Sequence, residues 1–306
     1  MVPKTIESLG EFGLIREIEK WVPRAKDIVR GIGDDTAVFR ISGGKYQLFT
    51  IDTIVEDVDF RLRQVRAEEI GWKTLGINLS DIAAMGGIPK VAVISLTLPP
   101  KTSLQFVKSF YTGAQKLARK FKVSIVGGDL SKGAKLSATV AVLGEADPKR
   151  TVFRTGAKIG DFICVTGTLG GSILGKHLNF TPRLKEGEFL ARHGVSSMID
   201  ISDGFLQDLN HLVRKPKMTF MISEREVPVS QAALRLARGN KRKALNHALS
   251  DGEDFELLCT LSPEKFRKIR KNWRRQFSIP LTAVGRVVYD SGAKEFQRKN
   301  LGFQHF

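Results

Sequence analysis

Runs of apolar and polar positions divide the chain into two successive sets of elements. Residues 8–21 have helical spacing, and the segments TAVFRI and YQLFTIDTIV, joined by the turn SGGK, read as two strands. From about Ala67 to Met85, apolar residues at Ile70, Leu75, Ile77, Leu79 and Ile82 predict a helix that Gly86-Gly87 and Pro89 terminate. A strand (VAVISLTL), a helix from about Ser103 to Phe121 and two more strands (VSIVGGD and LSATVAVLGE) follow. This order predicts a sheet with helices on one face only. The bare face calls for a partner, most simply a second copy of the chain.

A polar, basic, turn-rich break at residues 146–161 ends this half. The strand DFICVTG opens the next, followed by a glycine-rich entry into a helix, the segment MIDISDGFLQDLNHLV, and strands near Thr219–Ile222, Phe255–Leu261 and Leu281–Val288. Between the last two, Phe266, Ile269, Trp273 and Phe277 recur at helical spacing behind Ser262-Pro263, an N-cap and first-turn proline. The fold class expected is α+β in two domains, 1–147 and 148–306.

Composition narrows the function. At 306 residues, 42% hydrophobic and 26% charged, the chain is of globular type and has no apolar run long enough for a membrane span. Glu7, Glu11 and Glu17 interrupt any cleavable leader, so a soluble cytoplasmic protein is expected. Two cysteines, Cys164 and Cys259, both within apolar strands, exclude a disulfide framework and a cysteine-rich zinc site. The scattered histidines leave oxygen as the donor for any metal, which points to magnesium, manganese or calcium. A net charge of +17 fits polyanionic ligands such as nucleotides or nucleic acid. Much of the excess lies in RLARGNKRK and EKFRKIRKNWRRQF, which also read as solvated basic surface.

Seven of the sixteen aspartates sit beside small or turn residues at the ends of apolar runs, or at odds with their surroundings: Asp34 and Asp35, Asp52, Asp81, Asp129, Asp200 and Asp203. Aspartates also cap helices and start turns. Asp81 within a helix and Asp52 within a strand resist that explanation. Several carboxylates converging from different elements form a site for more than one hard cation. A multi-cation acidic site in a basic protein suits phosphoryl transfer from a metal–nucleotide complex, with Arg154 available as a phosphate clamp. GGSILGKH fails as a P-loop because His177 replaces the required hydroxyl, and GIGDDT lacks the third glycine of a dinucleotide fingerprint.

Taken together, GIGDDTAVF, TIDTIVEDVDF, GWKTLGINLSDIAAMGGIPK, VGGDLSKG, RTGAKIGDFICVTGTLGGS, IDISDGFLQDL and LSDGEDFELL resemble the thiamine-monophosphate kinase family, in order, over about residues 8–290. Single pieces are shared with the wider superfamily of aminoimidazole ribonucleotide synthetase, selenophosphate synthetase and hydrogenase-maturation proteins. The resemblance implies a two-domain synthetase-like fold. Its N-terminal ATP- and magnesium-binding domain pairs sheets across a homodimer, and an α/β sandwich domain follows. The implied reaction moves the γ-phosphoryl of ATP directly onto thiamine monophosphate, giving thiamine diphosphate, with several magnesium ions. By motif, Asp35, Thr50, Ile51 (through its backbone), Asp52, Asp81, Asp129, Asp200 and Asp203 are expected magnesium ligands. Asp35, Asp52, Asp81, Asp129 and Asp203 are the expected catalytic set. Tyr111, Gly128, Asp129, Arg154 and Ser202 are expected ATP contacts, and Asp59, Glu253 and Phe303 contacts to the thiamine part. Asp59 stands where the family often has histidine. Another kinase or synthetase of the superfamily, or a basic nucleic-acid-binding protein, are the alternatives; the leading reading requires no nucleic acid and no membrane.

Overall fold

The computed structural model describes residues 5–23, 25–213 and 216–290. After a first helix, α1 (Ile6–Trp21), kinked at Gly10, the chain forms six strands and two helices. These are β1 (Ile28–Arg30), β2 (Ala37–Arg40), β3 (Tyr46–Val55), α2 (Ala67–Ala84), β4 (Ile88–Leu98), α3 (Leu104–Phe121), β5 (Ser124–Lys132) and β6 (Ser137–Ala146). The strands form one sheet in the order β1-β2-β3-β6-β4-β5, antiparallel except for the β4/β5 pair that α3 connects. The expected elements of this half all form, displaced by a few residues at their ends.

The second half contains β7 (Phe162–Thr166), short α4 (Lys176–Asn179), α5 (Leu184–Arg192), β8 (Ser197–Asp200), α6 (Phe205–Leu212), β9 (Met218–Ile222), α7 (Gln231–Leu236), α8 (Lys241–Ser250), β10 (Leu257–Leu261), α9 (Pro263–Gln276) and β11 (Leu281–Tyr289). Its five strands are antiparallel, in the order β8-β10-β7-β11-β9. In α9 the Ser262 hydroxyl accepts the Lys265 N–H, Pro263 opens the helix, and Phe266, Ile269 and Trp273 are buried while the basic residues face water.

Alternation along β3 decides which face of the first sheet is covered. Leu48, Thr50 and Ile54 point into the helical layer and are buried, whereas Phe49 and Ile51 are 41% and 61% exposed. Val93 on β4 is exposed with them. A contiguous apolar sheet face open to water is unusual for a monomer.

Helix α2 is the element on which both halves meet. It packs on α3 along the first sheet and also touches α5 and β8. The largest buried cluster is therefore continuous across both sheets, running from Val38 and Leu79 to Cys259 and Trp273. Close approach of α2 and α3 depends on two glycines: a Cβ on Gly71 would land on the Phe110 carbonyl, and one on Gly113 on that of Glu68. Gly113→Ala is expected to cost about 1–3 kcal/mol by overpacking, read as a drop of several degrees in thermal midpoint. An unchanged midpoint would show that the helices have room to part.

Candidate active site

A cavity of about 1000 Å³ opens where the end of β2's leading turn, β3, α2, the Arg154 loop and the β8–α6 loop converge. Its walls include Asp34, Asp35, Thr50, Ile51, Asp52, Asp59, Asp81, Arg154, Asp200, Ser202, Asp203 and Glu253, all singled out in the sequence. The chain thus brings into one place acids that lie up to 219 positions apart, from Asp34 to Glu253.

The two adjacent aspartates do different things. Asp34 Oδ1 accepts the N–H groups of Asp35 (3.2 Å) and Arg154 (3.1 Å), and its Oδ2 lies 3.1 Å from Arg30 Nε, so it fastens the glycine turn to the Arg154 loop. Asp35 instead faces the cavity. Its Oδ1 accepts Arg154 Nη2 at 2.8 Å and Nε at 3.2 Å. Its Oδ2 is buried and, among the described residues, has no hydrogen-bond partner.

Around Asp35, carboxylate oxygens of Asp35, Asp81 and Asp200 all lie within 4.8 Å of one another. Asp81 takes the Thr50 hydroxyl, and Asp200 Oδ2 takes Ser80 Oγ at 2.6 Å. Such crowding away from water favours the protonated acids. Burial, then Asp35, pushes Asp200 up to about 7, and burial followed by Asp52, Asp200 and Asp35 pushes Asp81 well above the ordinary range. Burial also raises Asp35 and Asp52, and together with Asp35 it takes Asp34 to about 6. Burial works against the Arg154 charge, but Asp35, by charge and hydrogen bonding, outweighs it and the net shift is upward. Two arginines, Arg154 and Arg30, cannot neutralise five acids. An oxygen-only donor set with an unsatisfied buried oxygen fits a hard divalent cation.

Asp203 belongs to a second group, whose ligand atoms, with those of Asp208 and His211, lie within 4.8 Å of one another. Asp208 Oδ2 gathers the N–H groups of Ser202, Asp203 and Gly204 at 3.1, 3.2 and 3.1 Å, which fixes the loop carrying two of the expected site residues. Sequence reading missed Asp208 and His211. The available signal was an acid in the first turn of a helix entered through glycine.

Asp251, Gly252, Glu253 and Phe255 also line the cavity. Asp251 and Asp254 accept the N–H groups of Gly171 and Gly170 at 2.9 and 2.8 Å. Glycine amides that a P-loop would turn toward phosphate are here occupied by carboxylates, and His177 is buried with Nδ1 2.8 Å from the Ser172 carbonyl. Buried Glu256 is held by a forked bond from Arg183 (2.7 and 2.6 Å) and by Lys176 (2.9 Å). Glu253 pairs with Lys73, a lysine only 1% exposed that sequence reading also missed.

Three expected residues do not join this cavity. Tyr111 lies on α3, edge-on to Phe110. Gly128 and Asp129 lie on exposed edge strand β5. Register across the sheet explains why. Asp52 shares a row with Val140, Ile94 and Gly128, whereas Asp129 aligns with Ser95, Thr139 and Thr53. Asp129 therefore sits on the open face, opposite to Asp52, and three strand spacings away, roughly 14 Å. Phe303 lies outside the described residues. Asp59 lines the cavity, but its Oδ2 accepts the Val55 N–H at 2.7 Å.

Residues 33–146 match the family model described as AIR synthase related protein, N-terminal domain. The thiamine-monophosphate kinase of Rhodopirellula baltica is 39% identical over 271 residues, covering 86% of this chain and 84% of that protein. The chain belongs to the thiamine-monophosphate kinase family. Another member, from Aquifex aeolicus, is 33% identical and covers 98% of this chain and 99% of its own length. The solved structure of AaThiL complexed with AMPPCP and TMP superposes with a TM-score of 0.87 at 32% identity, covering all of both chains. The mixed α+β, two-sheet fold is thus that of the family, and no helix among the described residues is long and apolar enough to cross a membrane.

The raised acids give this family member a pH signature. Asp200, with a folded pKa of about 7 against an ordinary 3.8, favours the folded state when protonated; that contribution is complete below about 4 and is lost as pH rises through 7. A divalent cation favours the ionised acids instead. Magnesium is expected to raise the thermal midpoint of metal-free protein at pH 8, with a gain that shrinks as pH falls below about 7. A gain independent of pH would place binding elsewhere.

Proposed function

We propose that this chain transfers the γ-phosphoryl group of ATP to thiamine monophosphate, forming thiamine diphosphate and ADP. The observation that carries the reading is the convergence of Asp35, Asp81 and Asp200 beside Arg154, in a chain of this family. An oxygen of the acceptor phosphate attacks the γ-phosphorus, the bond from that phosphorus to the bridging oxygen of ADP breaks, and no phosphoenzyme forms. Magnesium ions held there would neutralise phosphate charge and polarise the γ-phosphoryl group. Asp35, Asp52, Asp81, Asp200 and Asp203, with the Thr50 hydroxyl and the Ile51 carbonyl, are the ligands we assign. Arg154 and Ser202 orient the triphosphate. Since the acceptor is already an anion, positioning and charge neutralisation do the catalytic work, without a strong general base.

Residues 1–147 form the nucleotide, metal and dimerisation domain in this reading, and 148–306 the second domain. The open sheet face supports a homodimer in which two copies cover Phe49, Ile51 and Val93. Gly128, Asp129 and Tyr111 lie away from the cavity of one chain, so their nucleotide and metal roles belong to the paired state. Glu253 and Phe303 contact the thiamine part, and Asp59 contributes through its loop. The enzyme is cytoplasmic in this reading. The α9 basic surface leaves room for nucleic-acid binding, but none is required.

A coupled assay with ATP, magnesium and thiamine monophosphate should yield thiamine diphosphate; none formed by folded, dimeric protein would overturn the assignment. Asp35→Asn should abolish turnover at any magnesium concentration, whereas Asp34→Asn, which loosens only the turn, should recover in part with added magnesium. Equal, unrescued losses would make the two aspartates one unit. Val93→Glu should yield a monomer by light scattering; an unchanged dimer would place the interface elsewhere.

A further inference from the structure

Three residues of α2 line the cavity at a spacing of four: Lys73, Ile77 and Asp81. Four residues is close to one helical turn, so they form a row along one side of the helix. At 1.5 Å per residue the row spans about 12 Å from first to last. One end holds the acid cluster. The other holds a cation that almost no water reaches, with an isoleucine between them.

A buried ammonium is strongly unfavourable unless paired and hydrogen-bonded. Lys73 Nζ donates to Glu253 Oε1 and, at 3.2 Å, to the Asp59 carbonyl. Its partner is unusual in two ways. Glu253 adopts φ +61, a left-handed conformation rare for a residue with a Cβ, and it is held there by its N–H donating to the Ser202 carbonyl at 2.7 Å. Strain of this kind persists where surrounding structure fixes it, and here it directs a carboxylate, still one-third exposed, into the cavity. Lys73 occupies Oε1, and among the described residues Oε2 has no hydrogen-bond partner.

We propose that Lys73 is a positioning residue for acceptor specificity. By fixing Glu253 through one oxygen, it presents the other to an N–H donor on the heterocycle of the acceptor, while the phosphate lies toward Asp81 and the ring passes over Ile77. The inference rests on the kinase reading above and adds to it a residue that selects the acceptor at the end remote from chemistry. The 4-amino group of the thiamine pyrimidine is such a donor. The 4-oxo analogue, oxythiamine monophosphate, lacks it, and a site built around an acceptor oxygen rejects a ligand missing its donor.

Steady-state kinetics on wild type, Lys73→Met, Lys73→Arg, Glu253→Gln and the Lys73→Met/Glu253→Gln double variant test this, with both acceptors. Wild type is expected to prefer thiamine monophosphate to its 4-oxo analogue by tenfold or more in kcat/KM. Lys73→Met should raise KM for thiamine monophosphate about tenfold, narrow the preference to under about threefold, and leave KM for ATP and the magnesium requirement unchanged. Lys73→Arg should restore part of the preference, and the double variant should be no worse than the poorer single one. An equal KM increase for both acceptors would make Lys73 a phosphate contact and overturn the proposal. So would equal losses toward ATP and acceptor, or an unaltered preference. A wild type that phosphorylates neither acceptor would instead overturn the kinase reading itself.

Discussion

Mutual repulsion among desolvated carboxylates is the constraint around which the molecule is arranged. Asp35, Asp81 and Asp200 come from a turn, a helix and a strand of the other sheet, and each is raised in pKa chiefly by burial. No packing gain requires acids at these positions, and apolar residues there would be more stable. What holds them is a shell of donors: Thr50 on Asp81, Ser80 on Asp200 and Arg154 on Asp35. The Ser80–Asp200 bond joins α2 to the second sheet at the site, so the halves are tied together where repulsion is greatest. A cation entering this cluster relieves a strain that the fold already carries.

Outer carboxylates brace the inner ones. Asp34 fastens the turn beneath Asp35, and Asp208 gathers three N–H groups beneath Asp203. Asp251 and Asp254, which flank Glu253 in the chain, hold the Gly170–Gly171 loop. Acidic residues therefore do two separate jobs within a few residues of each other: Asp34, Asp208, Asp251 and Asp254 accept backbone N–H groups and brace loops, whereas Asp35, Asp81 and Asp200 take side-chain donors and converge on one another. The same contrast distinguishes this glycine loop from a phosphate cradle, since its amides are already occupied.

Most elements could be read from the chain because their apolar periodicity agrees with the tertiary structure. The strand YQLFTIDTIV alternates with the pleat, and the bare sheet face expected from element order is seen at Phe49, Ile51 and Val93. Asp52 and Asp81 stood out because each conflicts with its local surroundings. Lys73 conflicts in the same way, a lysine on the buried side of an apolar helix, but in a chain so rich in lysine one more carries no signal. Asp208 was illegible as framework because a backbone-capping carboxylate and a ligand-facing one look identical in sequence. Asp129 illustrates a further limit: its motif adjoins a strand like the others, yet register puts it on the opposite face from Asp52. Which face a strand-end acid occupies depends on pairing across three strands, and no local pattern contains that.

In the proposed reaction the triad of buried acids holds the cations that carry the nucleotide phosphates. A crystal structure with manganese and a non-hydrolysable ATP analogue tests it most directly, since anomalous scattering locates each ion independently. A peak is expected between Asp35, Asp81 and Asp200, with analogue phosphate oxygens completing the ion's coordination. A nucleotide bound with that position empty, and ions found only beside Asp203, Asp208 and His211, would contradict it.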